Sequence, residues 1–107
     1  MVEPGLDRHE WESEMQGLED QLGENPAEAL PELDRLVERM LEETGYDPSD
    51  PVVREGDERE IVAEFLAARE ITQLLERGDE EVGPGDVASA INGYRAVFEH
   101  LVANREP

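Results

Sequence analysis

The stretch LLERGDEEVGPGDVASAINGYRAVFEHLVA, residues 74–103, decides how this chain reads. Two apolar runs at helical spacing flank a break made of Gly78, Asp79, Gly83, Pro84 and Gly85. Glycine ends a helix readily because it takes the left-handed conformation at little cost. Proline suits a first turn, where its missing N–H would be unsatisfied anyway. The stretch therefore reads as a helical hairpin. On its second arm, predicted over 86–103 with Asp86 as cap, Val87, Ile91, Tyr94, Phe98 and Leu101 recur at spacings of four and three. That period builds one apolar face, with Ala90 and Val102 beside it.

Three further segments read as helices. The first, over 8–22, carries a narrow stripe of Trp11, Met15, Leu18 and Leu22, weakened by Gly17 inside it. Trp11 is expected in the core or at an interface. The second, over 26–44, places Leu30, Leu33, Val37, Met40 and Leu41 on one face. Pro31 lies inside it, so a short turn over 26–30 and a kink or restart near Pro31 are expected. The third runs over 58–77. Asp7, Asn25 and Asp57 each precede a Glu by three residues, the spacing of a capping box. Gly23, Gly45 and Gly78 are the predicted stops. Tyr46–Pro51 is a turn-rich connector, and Val52-Val53 is too short for a strand. The ends, 1–6 and 104–107, are expected to fray. The expected fold class is all-α, a small antiparallel helical bundle of three to four helices in a single domain.

Composition narrows the setting. The 107 residues carry 29 acidic and 9 basic side chains, a net charge of −20 and a pI near 4.1. Every base is arginine, and the acids are spread along the whole chain. Three readings compete: adaptation to high salt, where carboxylates stay hydrated and self-repulsion is screened; mimicry of nucleic acid toward a basic partner; or an Arg-for-Lys bias from a GC-rich genome. The even spread favours high salt. Direct binding to a phosphate backbone, which draws on clustered Lys and Arg, is not expected. Cysteine is absent, which excludes disulfides and thiolate chemistry. The N-terminal residues do not read as a signal peptide, and no run is long and apolar enough for a membrane span. A cytoplasmic location is the expectation.

Candidate chemistry is sparse. Arg95 and His100 stand in an Arg-x4-His pattern on the last helix, which resembles the ribonuclease signature of HEPN domains, themselves small helical bundles. That resemblance implies that Arg95 would steady phosphate charge and His100 would assist proton transfer. Two departures stand against it. Ala96 occupies a position where that family often has a polar residue. Positions five apart on a regular helix also diverge by about 140°, so the pair would need a dimer interface to converge. Leu75-Glu-Arg-Gly-Asp79 and Ala88-Ser-Ala-Ile-Asn-Gly-Tyr94 resemble, more closely, a family of short archaeal helical proteins defined only as a domain of unknown function. This second resemblance covers the C-terminal hairpin. It implies an all-α fold and an archaeal source, and it carries no assigned activity.

Other patterns have bland explanations. His9 with Glu10 and Glu12 falls short of the three or four converging ligands of a zinc site. Carboxylate pairs such as Glu38/Glu42 and Glu60/Glu64 are unavoidable among 21 glutamates, and none falls clearly on an apolar stripe. Gly78–Gly85 lacks the Lys-Ser/Thr of a P-loop, and Arg77-Gly78-Asp79 reads as a helix end. No metal or cofactor is expected.

The third helix is apolar on two sides. Ile61, Phe65, Ala68 and Leu75 form one face, with Val62 and Leu66 beside it. Ala63, Ala67, Ile71 and Leu74 lie on nearly the opposite side. A helix of this kind is central in a bundle or carries a partner. These four residues are the expected interface, in a homodimer or with another protein. The expected function is a salt-adapted interaction module without catalysis.

Overall fold

The structure, a computed structural model, describes residues 4–44 and 56–104, with side chains over 9–44 and 59–103. Four helices account for nearly all of them: α1 (Pro4–Glu24), α2 (Pro26–Glu43), α3 (Gly56–Glu76) and α4 (Pro84–Asn104). No strand occurs among the described residues. The predicted connector after Gly45, Val52-Val53 and residues 1–3 and 105–107 lie outside them.

The hairpin between α3 and α4 forms as its sequence requires. Gly78 takes φ +78°, the left-handed region. Its N–H donates to the Leu75 carbonyl, and the Asp79 N–H donates to that of Leu74, both at 3.0 Å. These two bonds make a Schellman motif, which satisfies carbonyls that the helix end would leave bare. Arg77-Gly78-Asp79 is thus a helix end. The Asp79 carboxylate then accepts from the Glu81 N–H at 2.8 Å and holds the turn.

The start of α4 corrects the expected cap. The carbonyl of Gly83 accepts from Asp86 N and Val87 N at 3.0 and 3.1 Å, so Gly83 is the N-cap and Pro84 opens the helix. Asp86 instead sits three residues in and reaches back to accept from the Gly83 N–H at 3.1 Å. It supplies the second half of a capping box, not the first.

Other boundaries also move. Asp7 lies inside α1 and Asp57 inside α3, so neither precedes its helix. Asn25 does precede α2, but its side chain makes no cap bond. Gly23 lies within α1 and does not end it. The helix also runs unbroken through Pro31, with no restart. Pro31 removes one backbone bond, while Ala29, Leu30 and Leu33 on either side of it are fully buried. Their burial, each large side chain contributing about 1.5–3 kcal/mol, outweighs that single loss.

The apolar stripes meet as predicted. Trp11, Met15 and Leu22 from α1, the five stripe residues of α2, Ile61, Phe65 and Ala68 from α3, and Val87, Tyr94, Phe98 and Leu101 from α4 form one continuous core. The broadest interface joins α3 to α4; α2 packs on both, and α1 rests chiefly on α2. Trp11 is buried, and its indole N–H donates to Glu43 Oε1 at 3.2 Å. The bundle is flattened, with extents of 45 × 34 × 18 Å.

Gly17 sits in the middle of α1, exposed, and an added Cβ would meet nothing within 4 Å. Gly17→Ala should therefore stabilise the fold by about 1 kcal/mol through helix propensity alone. Thermal unfolding followed by circular dichroism measures this, as a rise in midpoint.

Candidate functional site

One polar cluster is set into the core, and it draws on three helices. Asp34 follows Leu30 by four residues and precedes Val37 by three, so α2 turns its carboxylate inward with the apolar stripe. Arg69 comes from α3, four residues after Phe65. Tyr94 comes from the apolar face of α4. Thr72, one turn beyond Ala68 on α3, completes the group.

The bonding is saturated at the centre. Arg69 Nη2 donates to Asp34 Oδ1 at 2.7 Å and Arg69 Nε donates to Asp34 Oδ2 at 3.1 Å, a bidentate fork. Arg69 Nη2 also donates to Glu38 Oε2 at 2.6 Å. The Tyr94 hydroxyl donates to Asp34 Oδ2 at 2.6 Å. Since that proton is committed, the 2.7 Å contact between Thr72 Oγ1 and Tyr94 Oη has Thr72 as donor. Thr72 shares its proton with the Ala68 carbonyl, 3.1 Å away. The guanidinium lies 4.6 Å from the centre of the Phe65 ring, whose edge meets Tyr94 at a centroid distance of 6.0 Å.

Burial sets the electrostatics. Asp34 is 8% exposed and Tyr94 is fully buried. Burial raises the Tyr94 hydroxyl far above the usual phenol value, and its bond to the Asp34 carboxylate raises it further. The hydrogen bond to Asp34 likewise raises Arg69 above the usual guanidinium value, against the opposing effect of burial. The cluster thus holds a neutral phenol and a permanent cation at every physiological pH. Counting Asp34 and Glu38 against Arg69, it carries one net negative charge.

A cleft of about 310 Å³ borders the cluster, lined by Pro31, Asp34, Arg35, Arg69, Thr72, Gln73 and Glu76. The arrangement favours structure over chemistry. The Nε and Nη2 groups of Arg69 are taken by carboxylates, which leaves them unavailable to a phosphate. Tyr94 spends its proton on Asp34, and Thr72 shares its own between Tyr94 and the Ala68 carbonyl. Among the described residues, no group of three or more His, Asp or Glu side chains is placed to hold a metal ion.

The residues singled out from sequence lie elsewhere. Arg95 is half-exposed, and its Nη2 pairs with Glu19 Oε2 on α1 at 3.1 Å. His100 is half-buried five residues further along the same unbroken helix, so the divergence of about 140° applies. His9 and Glu12 are exposed and line a separate cleft beside Met15 and Phe98. Ala63 and Ala67 are exposed; Ile71 and Leu74 are half-buried, and Ile71 leans on the edge of the core. Glu42, Glu60 and Glu64 are exposed, whereas Glu38 binds Arg69.

The sequence reading missed Asp34, Arg69 and Thr72. The expectation that no carboxylate pair falls clearly on an apolar stripe is overturned by Asp34, which lies on the α2 stripe four residues before Glu38 and shares Arg69 with it. Its spacing of four and three from Leu30 and Val37 was the available signal. Tyr94 lies on the predicted apolar face, where a buried hydroxyl needs a polar partner. Comparison with family models, with curated proteins and with solved structures gives no match to this chain.

Proposed function

We propose that this chain is a small salt-adapted module that acts through protein–protein contact and carries no catalysis. The observation that supports this most is the outer side of α3. Its inner side buries Ile61, Val62, Phe65, Ala68 and Thr72, while Ala63 and Ala67 stay exposed and Ile71 and Leu74 stay half-exposed. An apolar strip on a well-ordered helix is a contact surface that a second protein can cover. The partner we favour is a second copy, in a homodimer. At low salt two chains of charge −20 repel one another. At about 2 M salt the screening length falls to a few ångströms and apolar contact dominates.

Sedimentation velocity tests this reading. The wild type should sediment as a dimer in about 2 M KCl and dissociate near 0.1 M. Ala67→Glu places a charge in the strip without touching the core, so it should remain folded and monomeric in both. A wild type that is monomeric throughout, or an Ala67→Glu dimer, refutes the α3 interface. Salt adaptation predicts in addition that the thermal midpoint rises substantially over the same range of KCl; a flat response refutes it.

A further inference from the structure

The joint between α1 and α2 is a single residue. Asn25 is the one non-helical residue between Glu24 and Pro26, at φ −142° and ψ 73°. The helical hydrogen-bond ladder nevertheless closes on both sides of it. Asn25 N donates to the Gln21 carbonyl at 2.7 Å, and Ala29 N donates to the Asn25 carbonyl at 3.1 Å.

Two features keep the bend. Proline disfavours the helical region for the residue before it, which holds Asn25 out of the α conformation. Proline also lacks the N–H that a fused helix would use, and its ring would clash with the carbonyl of Leu22. The Asn25 side chain contributes no cap bond. The constraint at the joint is therefore Pro26.

What α1 gains by folding back can equally come from another chain. It rests chiefly on α2, through Trp11, Met15, Leu18 and Leu22. Its polar ties include Trp11 to Glu43, Glu14 to Arg39 and Glu19 to Arg95. If the joint straightened, residues 4–43 would form one helix about 60 Å long. The apolar stripe of α1 would then need cover, and the α2 surface of a second copy, itself stripped of α1, offers the same residues. Exchange of identical elements recreates each contact between chains.

We propose that Asn25–Pro26 is a hinge and Pro26 its latch, which holds α1 on its own chain and keeps two copies of this chain from exchanging helices. The proposal goes beyond contact through α3 and does not depend on it.

The chain has no cysteine, so introduced thiols report without interference. Glu14→Cys and Arg39→Cys place single thiols on the two sides of an exposed α1–α2 ion pair. The two variants, each carrying Ala67→Glu to remove any α3 association, are mixed, unfolded, refolded together and oxidised. Within an exchanged dimer, the thiol on α1 of one chain meets the thiol on α2 of the other. The readout is the heterodisulfide yield relative to the two homodisulfides, by mass spectrometry.

With Pro26 present this ratio should be small, and Pro26→Ala should raise it about tenfold or more, because alanine lets the two helices fuse. Pro26→Gly also frees Asn25 but favours helix poorly, so it should raise the ratio far less. Circular dichroism on each variant confirms that it is folded. No rise with Pro26→Ala, or an equal rise in both variants, overturns the proposal. Loss of α3 association leaves the ratio unaffected, so the two readings fail separately.

Discussion

Asp34→Ala is expected to destabilise this fold by about 3–5 kcal/mol, a large share of the 5–15 kcal/mol available to a small domain. The reason lies in what the substitution leaves behind. Arg69 keeps its charge, held three-quarters out of solvent, with Glu38 as its remaining ion-pair partner among the described residues. The buried Tyr94 hydroxyl loses its acceptor. Each orphaned buried group costs its full desolvation, which is about 1–3 kcal/mol for a neutral donor and more for a charge. Urea unfolding measures the loss. Tyr94→Phe should cost less, about 1–3 kcal/mol, since it removes one donor while Arg69 still satisfies the carboxylate. The combined change Asp34→Leu, Arg69→Met, Tyr94→Phe should recover most of the stability lost in Asp34→Ala. An apolar replacement of similar volume removes both the attraction and the cost of burying it. If the triple variant is no more stable than Asp34→Ala, the cluster contributes net stability that an apolar replacement does not supply.

The parts of the fold that were legible in sequence share one property: their partners are interchangeable. Leu30, Leu33, Val37, Met40 and Leu41 needed only apolar neighbours, and burial at period 3.6 announces that need within a few residues. Gly78 was legible for a similar reason, since a left-handed helix end depends on the residue itself. Caps were less so. An Asp or Asn three residues before a Glu occurs at Asp7, Asn25 and Asp57, yet Asp7 lies inside α1 and Asp57 inside α3, so the spacing alone does not mark a helix start. The polar cluster was the least legible. Asp34 is 35 residues from Arg69 and 60 from Tyr94 in sequence. Its position on the stripe marked it as buried, but its partners are fixed by how three helices cross. The same holds for Arg95, whose link to Glu19 spans 76 residues. A short pattern such as Arg-x4-His is read along one helix, whereas that guanidinium is placed by its neighbour on another.

Raised pH should unfold this protein abruptly, with Tyr94 as a principal trigger. The direction follows from which form burial favours. Burial and the Asp34 carboxylate both favour the neutral phenol, so the hydroxyl's value in the fold lies well above its unfolded value near 10. Below about pH 10 the phenol is protonated in both states, and its stabilising contribution is fully present. Above that, the unfolded chain releases the proton while the folded chain retains it, so stability falls steadily as pH rises toward the folded value. Arg69 does not offset this, because it stays protonated throughout that range. In a Tyr46→Phe variant Tyr94 is the only tyrosine. Its tyrosinate absorbance should stay absent while the helical signal persists, then appear in the same transition in which helicity is lost. Tyr94→Phe, though less stable at neutral pH, should lose stability less steeply above about pH 10. Tyrosinate absorbance that rises near pH 10 with helicity intact would mean that the Tyr94 hydroxyl reaches solvent and that its bond to Asp34 does not persist in solution.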